Sequence, residues 1–469
     1  MSILGWVRTT LQTALLSAAM AKTAGIDAAE QKSPHESYLA NFPHFNPNYD
    51  FEAPGDVNTA LKASLSQLGR FSFVQREFEL YAWQLLIALN QPSNFHHTKS
   101  QYAPEARWAA WTTTEDLSNA AYDPNFESIL CKRNARVEEF FKTADFSKER
   151  VLRSVSTLSN ADIAEAKDFP STFNTPLVDQ HGNYVYYESI LDPNQVEYLC
   201  NNHLLQRGVR EEHARSSGIS FPEGTEAVPW SGSFSLKLAW KILNVSKGDV
   251  PTRFVTSQAK VLDLSSDNRP IWRTVEVGLI GMHVVHKSRS APERIWATFE
   301  QVDNLQTDVV AHPNIQPSFS NPLCPLCSSN RPSEPVTARQ PTQVSRAIPI
   351  AMDTESLNRE AQSALEIHGS PLRYYKLAGV QWPGVAGDAT SATPTYIANA
   401  VMETFIQPRL ESTPTPAMTD TSAKRRLDGE SCISCHAHAS ARNGTPARST
   451  LYDGRSDGDF SWFLSQRLP

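Results

Sequence analysis

The chain has 469 residues, with 43 Lys plus Arg against 50 Asp plus Glu and a formal net charge of −7. A hydrophobic content of 40% beside 20% charged residues is that of a globular protein and argues against disorder. The acidic balance excludes an electrostatic grip on nucleic acid, which needs clustered Lys and Arg, and no run of 18 apolar residues offers a transmembrane span.

In chain order, Arg8 precedes a mildly apolar run over 9–20, and Ala19-Met20-Ala21 fits a small-x-small cleavage site. Residues 1–21 are therefore expected to be a signal peptide, and 22–316 the body. The first clear helix is predicted over 71–90, where Phe71, Val74, Phe78, Ala82, Leu85, Leu86 and Leu89 recur at spacings of three and four before Pro92. Further helices are expected over 137–143 and 194–206. The middle changes character. Residues 184–187, 233–243, 254–264, 272–286 and 294–302 are rich in β-branched and aromatic residues and are separated by turn signals, which predicts an antiparallel sheet.

Residues 317–344, rich in Pro, Ser and Asn, read as a connector, and 345–469 as a C-terminal segment. That segment is expected to be mainly helical, with helices over 355–367 and 396–406, a polar loop over 408–428, a short helix over 435–441 and an aromatic patch over 459–464. The expected fold class is α+β: N-terminal helices, a β-rich antiparallel middle and a mainly helical C-terminal part.

Chemistry concentrates in Cys432-Ile433-Ser434-Cys435-His436. This C-x-x-C-H pattern is the attachment sequence of a c-type haem. Two thiols three positions apart each add to one vinyl group of a porphyrin, and the following imidazole reaches the iron. Chance would give roughly 0.002 such pentapeptides in a chain of this composition. The competing reading is a disulfide or half a zinc site beside an incidental His, but no second Cys/His pair has zinc-ribbon spacing. The expected cofactor is one covalent haem c on Cys432, Cys435 and His436, the last as proximal ligand. Such attachment takes place outside the bacterial cytoplasm, so the expected location is the periplasm. The basic run Lys424-Arg425-Arg426 is either a haem-propionate or partner contact or a solvated loop.

Four further cysteines remain: Cys131, Cys200, Cys324 and Cys327. In an exported protein they can form two disulfides. Cys324-Pro325-Leu326-Cys327 also has the spacing of a thiol–disulfide redox pair, though its neighbours read as loop, which favours a structural clip.

The second axial ligand is not evident. Only 33 residues follow His436 and none is Met, so the layout of small cytochromes with a downstream Met ligand does not apply. Upstream, Gly281-Met282-His283-Val284-Val285-His286 places Met282 and His286 on one face of a strand and His283 on the other. His283, His286 and Met402 are the distal candidates, with Met352 and Met418 behind them, and His438 is too close in sequence to reach the opposite side. The alternative is that the strand residues only pack and hydrogen-bond locally.

Several segments carry a resemblance. They are Tyr81-Ala82-Trp83-Gln84 with Ala88-Leu89-Asn90, Trp240-Lys241, Gly281-Met282-His283-Val284, 295–304, Gln381-Trp382-Pro383, Met402-Glu403-Thr404-Phe405, the haem motif with Ala437, and Asp459-Phe460-Ser461. Together they resemble a family of exported bacterial single-haem c-type cytochrome proteins. The resemblance implies one integrated protein and a haem-attaching role for Cys432, Cys435 and His436, with no particular reaction. Within 295–304, Glu300 and Asp303 are either pocket residues or parts of a packed strand and turn. The functional expectation is electron transfer with a periplasmic redox partner. The alternatives are a haem enzyme of peroxidase or oxygenase type acting on a small molecule, and a haem-based sensor or binding protein.

Overall fold

In the computed structural model the described residues are 52–90, 106–135, 140, 149–156, 175–267, 269–305, 315–324, 326–333, 338–367, 369–386, 388, 391–405, 432–437, 439–441 and 457–465. The signal-peptide expectation over 1–21, most of the 137–143 helix, the basic run at 424–426, Met418 and His438 lie outside them.

The helices are α1 (Thr59–Gln67), α2 (Phe71–Leu89), α3 (Thr114–Tyr122), α4 (Pro124–Asn134), α5 (Pro193–Asn201), α6 (Arg207–Ser216), α7 (Met352–Ile367) and the single turn α8 (Cys432–His436). The strands are β1 (Thr112–Thr113), β2 (Arg150–Leu152), β3 (Tyr186–Leu191), β4 (Ser233–Ile242), β5 (Thr256–Leu264), β6 (Pro270–Ser288), β7 (Ala291–Gln301), β8 (Tyr375–Pro383) and β9 (Ala392–Thr393). They form one sheet in the order β1-β3-β4-β6-β7-β8-β9, with β5 also paired to β6 and β2 to β5. Every pair is antiparallel except β2 with β5. Among the described residues no helix is long and apolar enough to cross a membrane.

Side chains alternate across a strand, so register assigns the two faces. In β6, Met282, Val284 and His286 share one face, and His283, Val285 and Lys287 the other. α2 covers the first face. Phe78 stacks on Trp382 with ring centroids 4.5 Å apart, and Trp83 meets Phe299 edge-on at 5.3 Å. From Phe78 onward α2 is buried almost all round, which is why its sequence is apolar beyond a single stripe. The C-terminal chain covers the second face. There a Cβ on Gly281 would stand 2.8 Å from Val401 Cγ2, so the missing side chain leaves room for the Val401 side chain against β6.

This architecture corrects the expected α+β fold class. Among the described residues the molecule is sheet-rich, and the C-terminal part is not a separate, mainly helical segment, because it contributes β8 and β9 to the same nine-stranded sheet. β8 is buried along almost its whole length, so no polar residues alternate with its apolar ones and its strand signal is weak. Over the described part, 396–405, the helix expected over 396–406 does not form, and side chains take up backbone donors there. Asn399 N–H donates to Glu403 Oε2 at 2.6 Å, Ala400 N–H to Glu300 Oε1 at 2.7 Å, and Val401 N–H to Asn399 Oδ1 at 3.0 Å. The helix expected over 435–441 instead spans Cys432–His436 and does not continue, since Ala441 N–H donates to Asp457 Oδ1 at 3.1 Å.

Of the β-rich middle, β4, β5, β6 and β7 all form within a few residues of their expected bounds. Glu300 and Asp303 prove to be buried ion-pair residues: Glu300 pairs with Arg346, and Asp303 takes two 2.7 Å bonds from Arg253. Cys131 is bonded to Cys200 and Cys324 to Cys327.

Candidate haem site

α8 lies against β7 and β8 on the sheet face opposite α2. Its anchor is Ile433, which is fully buried in a cluster with Val285, Trp296, Ala437 and Phe460. Ile433 N–H donates to the Gln381 side chain at 2.8 Å. This bond satisfies one of the donors that a helix start leaves open. Cys432 packs partly buried at the edge of the same cluster. Cys435 is the fourth residue of the turn, and helical spacing of three brings two positions onto one side.

His436 is held on two sides. Its ring stands over Trp296 with centroids 4.3 Å apart, and its Nδ1 is 2.9 Å from the backbone oxygen of Phe460. A carbonyl only accepts, so Nδ1 carries the proton and Nε2 keeps the lone pair. Burial lowers the pKa of this ring to about 3 against the raising influence of the Phe460 carbonyl, and the charges of Lys237, Arg294 and His283 push it further down. A neutral ring with one free lone pair is what a metal ligand must present.

The Phe460 carbonyl is itself fixed. Asp459 and Phe460 both have positive φ, 49° and 60°, an uncommon backbone for residues other than glycine. Asp459 is clamped from the sheet: Lys287 Nζ bonds its two carboxylate oxygens at 2.9 and 3.0 Å, and Arg294 donates to its backbone oxygen at 2.9 Å. Asp459 also accepts from Phe221 N–H at 2.8 Å. Lys287 and Arg294 are themselves buried strand residues, and Arg294 sits at φ 73°. The sheet thus holds the carbonyl that orients His436. Such a carbonyl partner behind a ligating imidazole sets its tautomer and raises its basicity.

The three distal candidates separate cleanly. His286 lies on the α2 face, fully buried, with Nδ1 2.5 Å from the Tyr81 hydroxyl and Nε2 2.9 Å from Ser231 O. Its ring stacks on Phe234 at 3.9 Å, and burial lowers its pKa to about 3. Both nitrogens are engaged, on the wrong side of the sheet. Met402 is buried in a different cluster, with Leu177, Val185, Ala239 and Phe254. His283 shares the face of Val285 and Trp296, and its Nε2 is 2.8 Å from Glu403 Oε1. Burial works against the Glu403 carboxylate, but His283, the Asn399 N–H and Lys237 outweigh it and hold its pKa below the ordinary value. Met282 is on the α2 face and fully buried, while Met352 is 87% exposed at the start of α7.

Thus the described residues place His436, Cys432 and His283 on one face, with Met402 on that face but in a separate cluster, and His286 on the other. Sequence reasoning missed Asp459, Lys287, Arg294 and Glu403 as supports of the site. The one signal that could have found them is the pair of cations at Lys287 and Arg294 within otherwise buried strands, since buried charges need partners.

No protein-family model, curated protein or solved structure matches this chain.

Proposed function

We propose that this protein is a periplasmic c-type cytochrome, carrying one covalent haem and moving single electrons to or from a redox partner. The observation that carries the reading is the His436 ring, donating from Nδ1 to the Phe460 carbonyl and standing at the end of a helical turn that begins with Cys432. Those residues fit the group. Cys432 and Cys435 would hold it by thioether bonds, and His436 would meet the metal through Nε2. When bound, haem supplies an iron that changes oxidation state by one electron. The chain's own residues do the rest. Phe460 keeps the proton on Nδ1. Trp296, Ile433 and Phe460 line one side of the motif and partly shield the ring. Lys287 and Arg294, through Asp459, hold the orientation against thermal motion. The two disulfides agree with an oxidising compartment.

The test is expression with a cytochrome c maturation system. A pyridine haemochrome band of the two-thioether type is expected from the wild-type chain, with loss of covalent haem in Cys432→Ala and Cys435→Ala. A wild-type product without covalent haem refutes the reading. A resting spectrum that changes on adding peroxide or carbon monoxide would instead favour the haem-enzyme alternative.

A further inference from the structure

We infer that His283 is the second axial ligand of the haem iron, offered through Nδ1 and held by the Glu403 carboxylate. The inference rests on the haem reading above and adds to it the coordination of the distal side.

Four observations carry it. First, His283 is on the same face of the sheet as the motif: Val285, two positions along β6, belongs to the cluster around Ile433 and Trp296. Second, Glu403 fixes its tautomer. An ionised carboxylate can only accept, so the 2.8 Å contact puts the proton on Nε2 and leaves the lone pair on Nδ1. Among the described residues Nδ1 makes no hydrogen bond. A carboxylate behind a histidine, on the nitrogen away from the metal, is the recurrent support of a ligating imidazole. Third, the support is itself built. Glu403 Oε2 accepts from Asn399 N–H at 2.6 Å, and the Asn399 side chain donates to Thr298 Oγ1 and to Phe299 O, each at 2.9 Å. Sheet and C-terminal chain thus converge on one ring, as they do for His436. Fourth, the ring is accessible. The His283 side chain is 16% exposed and that of Glu403 26%, whereas His286 is fully enclosed with both nitrogens engaged.

Two imidazoles on one iron leave no site for a small substrate, so this ligation separates electron transfer from peroxidase-type chemistry. The pair is also chemically asymmetric. His436 leans on a neutral carbonyl and His283 on a carboxylate, and the latter makes the imidazole the stronger donor.

The experiment uses the full chain matured with haem, and reads ferric and ferrous optical spectra, electron paramagnetic resonance, a potentiometric redox titration and the pyridine haemochrome on the same samples. Wild type is expected to be low-spin with two imidazole ligands. His283→Ala is expected to retain covalent haem, turn high-spin and bind carbon monoxide, and to return to low-spin on adding free imidazole. Glu403→Gln, a milder change should the alanine variant not fold, is expected to stay low-spin with an upward shift of midpoint potential, because the ligand donates less. A low-spin His283→Ala with an unchanged spectrum, a high-spin wild type, or a Glu403→Gln indistinguishable from wild type in potential overturns the inference. Absence of covalent haem in the wild-type sample refutes the parent reading itself and is recognised separately from the haemochrome.

Discussion

Nδ1 of His436 meets the backbone oxygen of Phe460 at 2.9 Å, and the residue before it, Asp459, is gripped by Lys287 from β6 and Arg294 from β7. A buried ion cluster of the sheet therefore sets the position of the one histidine in the C-x-x-C-H motif. The cluster is costly to break, because removing the acid leaves two buried cations facing each other. Asp459→Ala is expected to lower unfolding free energy by about 3–5 kcal/mol, measured by denaturant titration. Adding Lys287→Met should recover a large part of that loss. If the double variant is no more stable than the single one, Lys287 is not the group left uncompensated.

The disulfides differ in what they constrain. Cys131 and Cys200 are 69 positions apart and tie α4 to α5, whereas Cys324 and Cys327 are 3 apart beside the exposed Leu323 and Leu326. Loop-closure entropy predicts a cost of about 4 kcal/mol for Cys131→Ser with Cys200→Ser, and about half that for the short clip. Thermal unfolding of the two double variants checks the ranking, and equal losses would contradict it.

Stability should also respond to pH through two buried groups with opposite signs. Burial lowers His286 to about 3, below its unfolded value near 6.5, so its contribution is lost as pH falls through that window. Burial raises Asp192 to about 7, against the hydrogen bonds from Gln195 that favour its charged form. Its contribution is present at low pH and lost as pH rises from about 4 to 7. Between pH 4 and 6.5 the two slopes, each about 1.4 kcal/mol per unit, offset one another. Asp192→Asn keeps a helix-capping oxygen for α5 and removes only the second slope. Its stability is expected to fall on acidification more steeply than that of wild type by about 1.4 kcal/mol per unit, read from denaturation at pH 4.5, 5.5 and 6.5. Parallel profiles would show that Asp192 is ionised throughout.

Asn399 replaces a helix by a knot of side-chain bonds. Asn399→Ala leaves the buried Phe299 carbonyl and the Val401 N–H without these partners, so a loss of about 2–3 kcal/mol is expected. Its effect should spread to Glu403, whose carboxylate rests on the Asn399 backbone. Hydrogen exchange at 399–403 is the direct measurement, and unchanged protection there would refute the role assigned to the side chain.

Much of the framework was legible along the chain because its signals are local. The spacing of Val74, Phe78, Ala82, Leu85 and Leu89 specifies α2, and the β-branched runs specify β4 to β7. The alternation rule also separated His283 from Met282 and His286 before any fold was known, and register bears out that division. β8 was not legible, since a strand buried on both faces loses its alternation, and the 396–406 stretch misled because the Asn399 side chain and the Ala400 N–H bond to residues about a hundred positions away.

By itself the sequence determined the C-x-x-C-H pattern at Cys432, Cys435 and His436, since a motif confined to five consecutive residues needs no fold to be recognised. Only the tertiary structure decided what surrounds it. The partner of His436 is a backbone carbonyl, a group that every residue possesses and no sequence pattern marks. The partner of His283 is a carboxylate 120 positions away, brought near because the C-terminal chain folds back across the sheet. Proximity of that kind depends on the packing of whole elements, and for that reason the hydrogen-bond partners of the two histidines could be read only from the fold.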